Sequence, residues 1–136
     1  MVALTITATS VVAQPGATII DGTAAATITA GQAVYLDTAT GLYGLADTDG
    51  ATTDIRAFAG FALNGAAVSQ PIRIHQRGPL AIGATVTRGV GYYLSPTAGG
   101  VAPVADIITG AYPTFLGFAT SATVINVQPV AAGVIV

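Results

Sequence analysis

The sequence predicts an all-β fold, a compact sandwich or barrel-like domain with an extended N-terminal arm. Val, Ile, Thr and Tyr, which favour extended backbone, are abundant among the 136 residues. Seventeen Gly and seven Pro separate short apolar segments that recur about every eight to twelve residues. Such spacing is typical of sandwiches and barrels. We expect an arm and hairpin over residues 1–22 and a single β-domain over residues 23–136.

The N-terminal arm alternates apolar side chains with threonine, which predicts a half-buried strand over residues 3–12. Gln14-Pro15-Gly16 then has turn chemistry, and Asp21-Gly22 favours a tight hairpin after a short strand at residues 18–20. The arm is therefore expected to lack a strand of its own chain beside it, and an unpaired edge adheres to other chains. We expect contact with a neighbouring subunit through Leu4, Ile6, Val11 and Val12.

The rest of the chain divides into further short strands with turns between them. In the first half, the predicted strands cover residues 24–30, 33–37, 43–47, 56–63 and 71–76. In the second half, they cover residues 84–88, 91–94, 101–104, 114–120 and 123–128.

The two halves resemble each other at an offset of 58 residues. Residues 26–41 align without gaps onto residues 84–99, with identical pairs Ala26/Ala84, Thr27/Thr85, Thr29/Thr87, Gly31/Gly89, Tyr35/Tyr93, Leu36/Leu94 and Gly41/Gly99. With small gaps, the match extends to Leu45-Ala46-Asp47 with Val104-Ala105-Asp106, Gly60-Phe61-Ala62 with Gly117-Phe118-Ala119, and Ile72-Arg73-Ile74 with Ile125-Asn126-Val127. This predicts two related β-units, at about residues 26–78 and 84–129. The alternative is a chance match in a chain rich in small residues.

Charged residues make up only 7% of the chain, whereas about 25% is usual in a soluble domain. All four cations are Arg and all six anions are Asp, so chemistry that needs Lys or Glu is excluded. Four cations cannot neutralise a phosphate backbone, so we expect no nucleic-acid partner. The longest charge-free stretch, residues 107–136, is interrupted by Pro and Gly, so we expect no membrane span.

So sparse a charge content favours a chain whose surface is covered by other subunits. The apolar C-terminal end is costly to leave in water, and we expect Val134, Ile135 and Val136 to lie in an oligomer interface, that of a homotrimer.

The densest cluster of basic side chains lies on one predicted strand. Strand alternation places Arg73, His75 and Arg77, the basic stripe, on one face and Ile72 and Ile74 on the other. The stripe either contacts an assembly partner or is a solvated strand face. His75 is the only histidine, and no serine lies in a Gly-x-Ser-x-Gly sequence, so we expect no catalytic residues, no enzyme activity and no cofactor.

A second candidate is the acidic loop containing Asp47, Asp49 and Asp54. Three carboxylates at close spacing could ligate Ca²⁺, but the loop lacks the terminal Glu of an EF-hand. A solvated turn is the favoured interpretation, and no metal site is predicted.

The paired segments Gly31-Gln32-Ala33-Val34-Tyr35-Leu36 and Gly89-Val90-Gly91-Tyr92-Tyr93-Leu94, followed later by Gly60-Phe61-Ala62-Leu63 and Gly117-Phe118-Ala119, resemble a known group. Over roughly residues 23–128, the chain is similar to the capsid decoration, or cement, proteins of tailed bacteriophages. The resemblance implies a virion protein on the outer surface of the capsid that binds the major capsid protein, stabilises the head and forms a homotrimer. The basic stripe Arg73, His75 and Arg77 is then the expected capsid contact. The alternative function is a β-domain of a phage fibre or trimeric surface appendage used for host attachment.

Overall fold

The computed structural model describes residues 4–47, 52–95, 97–103 and 113–131. The strands are β1 (Val11–Ala13), β2 (Thr18–Thr23), β3 (Ala33–Leu36), β4 (Tyr43–Leu45), β5 (Gly60–Ala62), β6 (Pro71–Ile82), β7 (Gly91–Leu94), β8 (Val101–Pro103), β9 (Thr114–Ala119) and β10 (Val124–Ala131). A 3₁₀ turn at Ala8–Ser10 and the helical turn α1 (Thr53–Arg56) complete the regular elements of the described ranges. The all-β prediction is confirmed.

All of the described strands belong to one curled, antiparallel, half-barrel sheet. Its strand order is β4-β3-β5-β6-β10-β9-β7-β8, and β1 and β2 pair with the two ends of the long strand β6. From one edge the order is β4-β3-β5-β6, and from the other edge it is β8-β7-β9-β10. Strands β3 to β6 therefore correspond, in chain order, to strands β7 to β10. The fold therefore contains two related β-units that join where β6 pairs with β10.

Backbone hydrogen bonds repeat between the two units. The amide of Gly31 donates to the carbonyl oxygen of Ala62 at 2.8 Å, and the amide of Gly89 donates to that of Ala119 at 2.8 Å. Both glycines have positive φ, 90° and 83°, which a side chain disfavours. A chance match of small residues does not explain repeated bonding, so the units are structural repeats.

The strand register corrects the sequence alignment at the last strand of each unit. Ala62 pairs with Ile74 in the first unit, and Ala119 pairs with Ile125 in the second. Ile74 is therefore the structural equivalent of Ile125, whereas the sequence alignment matched Ile72 with Ile125. A shift of two residues leaves every side chain on the same face of a strand, so alternation alone does not detect it.

Two apolar clusters lie on the two sides of the first unit. Cluster 1 joins the inner face of the second unit, through residues such as Tyr92, Leu116 and Ile125, to Phe61 of the first unit. Cluster 2 lies within the first unit and includes Ile72 and Ile74. The two units are thus held together by cluster 1.

Several local predictions are wrong. Residues 24–30 form only isolated bridges, and residues 84–88 form no strand, because their backbone bonds to other segments at single positions, such as Ile28 with Ala66 and Val86 with Ala122. The predicted strand at residues 56–63 is reduced to the short β5, and Arg56 is the last residue of α1.

The predicted hairpin at Asp21-Gly22 is also wrong, because β2 runs through both residues and pairs with β6. A Cβ atom on Gly22 would lie 2.5 Å from the Tyr43 ring. The glycine therefore allows close approach of a ring and does not form a turn.

Candidate functional site

The basic stripe does not form a single face of β6. Thr18 and Ile19 are consecutive in β2 but pair with Arg77 and His75, so Gln76 is an extra residue, a β-bulge. The side chains of consecutive β2 residues lie on opposite sides of the sheet, and each paired β6 side chain lies on the same side as its β2 partner. Arg77 therefore lies on the face opposite His75, and the one-face prediction is wrong.

His75 is completely buried, which the sequence prediction also missed. Its cross-strand partner is Phe61, a cluster 1 residue. The Nε2 atom of His75 lies 2.9 Å from the carbonyl oxygen of Gly78, and the buried Nδ1 atom has no hydrogen-bond partner. Burial lowers the pKa of His75, and the bond to Gly78 opposes that shift only in part. The ring is a neutral core residue, so it cannot contact another molecule.

Arg73 and Arg77 are exposed at the surface. The guanidinium Nε of Arg73 lies 3.4 Å from Oδ1 of Asp21, its cross-strand partner, and both side chains are mainly in solvent. Such a surface ion pair contributes about 0–1 kcal/mol. Arg77 lines an open depression with Phe58, Gln76 and Thr114, whose lining does not include His75. Two separate arginines thus replace the predicted stripe.

The N-terminal arm packs against its own chain. Over residues 4–10, the described arm contains a 3₁₀ turn and no strand, and Val11 pairs with Ile82 of β6. The amide of Leu4 donates to the carbonyl oxygen of Val101 at 2.7 Å, and Leu4 and Ile6 pack on cluster 1. The expectation of an unpaired arm is wrong, because its apolar side chains complete the protein's own core.

Val12 is the exception in the arm, since it is 52% exposed. A contact between the arm and a neighbouring subunit stays a prediction that now depends on Val12. The C-terminal residues Val134, Ile135 and Val136, predicted to lie in an oligomer interface, are outside the described residues.

The acidic loop is only partly described, because Asp49 is outside the described residues. Asp54 accepts hydrogen bonds from the amide (3.1 Å) and the hydroxyl (2.8 Å) of Thr38, and these bonds lower the pKa of its carboxyl. The carboxylate therefore links two loops. No group of three or more metal-ligating side chains occurs in the described part of the chain.

Sequence reasoning missed an aromatic face on the outer side of the second unit, formed by Tyr93, Phe115, Phe118 and Val130. Phe115 makes edge contacts with Tyr93 (centroids 5.5 Å apart) and Phe118 (5.0 Å). Phe118 and Val130 are 56% and 62% exposed.

A β-bulge builds this aromatic face. Tyr92 pairs with Gly117 and Tyr93 with Phe115, so Leu116 is an extra residue on β9. The bulge brings Phe115 and Phe118, three positions apart, to the same side of the sheet. The sequence signal was available, because Phe58 and Phe61 have the same spacing in the first unit.

The chain matches no protein-family model, no curated protein and no solved structure. Neither of the helical turns in the described ranges has the length and apolar character needed to cross a membrane. The function must therefore be inferred from the surface of the chain itself.

Proposed function

We propose that this chain is a structural virion protein that binds the outer surface of a bacteriophage head and stabilises the capsid. The observation that supports an assembly role best is the exposed aromatic face in a chain with only 7% charged residues. Large exposed apolar patches usually mark contacts with other proteins. The proposed partners are the major capsid protein and further copies of the chain, arranged as a homotrimer.

The chemistry of the surface also favours binding over catalysis. The only histidine of the sequence is a buried core residue, and Asp54 is occupied by Thr38. The depression beside β6 is open and contains a single charged side chain, that of Arg77. We therefore propose that the protein is not an enzyme and that the exposed Arg73 contributes a polar contact with the capsid.

Binding to heads assembled without this protein tests the proposal. The heads are made from the major capsid protein of the same virus, and the purified chain is added in increasing amounts. We expect saturable binding in co-sedimentation and a higher temperature of head disruption in calorimetry, because a ligand of the assembled state stabilises it. Absence of binding, or an unchanged disruption temperature at saturation, would contradict the function. Saturable binding to host cells instead would favour the fibre-domain alternative.

A further inference from the structure

The aromatic face has a structural equivalent in the first unit. Phe58 and Phe61 contact each other edge to face with centroids 4.9 Å apart, as Phe115 and Phe118 do at 5.0 Å. Ala33 pairs with Phe61 just as Gly91 pairs with Phe118, so the strand register is the same in both units.

The two equivalent faces differ completely in exposure. Phe61 is 0% exposed, because the first unit's face, with Tyr35 and Phe58 beside it, packs against the inner face of the second unit in cluster 1. Phe118 is 56% exposed. The same aromatic arrangement is therefore used once inside this chain, as the interface with another unit of the same fold, and is left uncovered once.

The strand partners within the uncovered face are uncharged. The cross-strand partners of Phe118 are Gly91 and Asn126, and Val130 pairs with Phe115. None of these paired side chains is charged, and the exposed Arg77 lies on the same side of the sheet, two positions from Pro79, the β6 partner of Asn126.

We propose that a second copy of this chain packs on the aromatic face formed by Tyr93, Phe115, Phe118 and Val130. This repeats between chains the use that the equivalent face has within the chain, and the low charge content of the chain matches the neutral face. In a homotrimer the contact is head-to-tail, so the aromatic face of one copy packs against a different surface of the next copy, as the first unit's face packs against the inner face of the second unit. The proposal rests on the proposed function only in expecting self-association, and it names the surface.

The absence of tryptophan from the sequence allows a direct test. The variant Phe118→Trp has a single indole on the proposed interface, and Val68→Trp, at a loop position that is 60% exposed, is the matched control. Between about 1 and 100 μM, we expect the sedimentation coefficient of both variants to rise. As the chains associate, only the fluorescence emission of Phe118→Trp should shift to shorter wavelength, because only that indole enters the interface. Equal shifts, or a parent chain that stays monomeric over this range, would overturn the proposal.

Polar substitutions provide a second measurement. Phe118→Ser combined with Val130→Ser should remain monomeric at the concentrations where the parent associates, whereas Val68→Ser should associate like the parent. Both substituted positions are exposed, so circular dichroism should show an unchanged fold. Parent-like association of the double variant would overturn the proposal.

Head binding separates this proposal from the function. A monomeric parent that still binds heads overturns the aromatic-face interface and leaves the capsid function standing. A parent that self-associates through Phe118 but binds no heads overturns the capsid function and leaves the aromatic-face interface standing.

Discussion

His75 and Gly78 are joined across the bulge of β6, where the Nε2–H of the ring donates to the Gly78 carbonyl oxygen at 2.9 Å. This bond fixes the neutral tautomer in which Nδ1 is unprotonated, and that atom is buried without a partner. The directly paired neighbours of the ring, Ile19 and Phe61, cannot stabilise a second proton. A proton on His75 is thus unfavourable in the folded state.

Stability should fall as the pH is lowered from about 7 to about 5.5. Because burial depresses the folded-state pKa, the unfolded chain binds a proton near pH 6.5 that the folded chain refuses. The contribution of neutral His75 to the free energy of unfolding is complete above that pH, and it is lost as the pH falls towards the folded-state pKa. Melting temperatures of the parent and His75→Gln across this range measure it, and we expect a flatter profile for the variant. Parallel profiles would exclude His75 as the titrating group.

Gly117 should be intolerant of substitution. Its φ is 151°, and a Cβ atom there would overlap the carbonyl oxygen of Asn126 on β10. Gly117→Ala should lower the free energy of unfolding by at least about 1–3 kcal/mol, the cost of a strained backbone before the overlap is relieved. Gly65→Ala is the control, since its nearest contact is 3.8 Å away and its φ is not positive. Denaturant titrations that give both variants the same free energy of unfolding would contradict this structure of β9.

The arm should stabilise the isolated chain. Ile6 is half-buried against cluster 1, so Ile6→Ala should reduce the free energy of unfolding by about 1–2 kcal/mol, less than for a fully buried isoleucine. The neighbouring Thr5→Ala, at an exposed position, should change it little. Thermal unfolding at a concentration where the parent is monomeric gives the comparison. An Ile6→Ala variant as stable as Thr5→Ala would mean that the arm does not pack on its own core.

Sequence patterns located many strands well, because regular alternation between turn residues is a local property. The predicted strand at residues 91–94 coincides with β7, and those at residues 33–37 and 114–120 differ from β3 and β9 by one residue. The bulges at Gln76 and Leu116 could not be predicted this way, since each depends on the partner strand.

The prediction of the basic stripe was wrong for the same reason, because it depended on partner strands that are distant in sequence. One extra residue, Gln76, moves Arg77 to the other face, and His75 is buried by Phe61, which is distant in sequence. The arm was mispredicted because its partner, Ile82, lies 71 positions further along the chain.

The two exposed arginines of β6 should differ in their effect on capsid binding, because they lie on opposite faces of the sheet. A capsid surface that packs on the side of the sheet carrying Asp21 can reach Arg73. Arg77 lies on the other side, in the depression with Phe58 and Thr114. Exposed charge pairs mainly affect the association rate, and they are screened above about 0.15 M salt, where the screening length is about 8 Å. Arg73→Gln should therefore reduce the salt dependence of the association rate with bare heads, and Arg77→Gln, which removes the same charge from the same strand, should leave it nearly unchanged. Stopped-flow or surface-binding kinetics between about 0.05 and 0.5 M salt measure both slopes. A parent-like slope for Arg73→Gln would exclude Arg73 from the capsid contact, and a reduced slope for Arg77→Gln alone would place the contact on the opposite face.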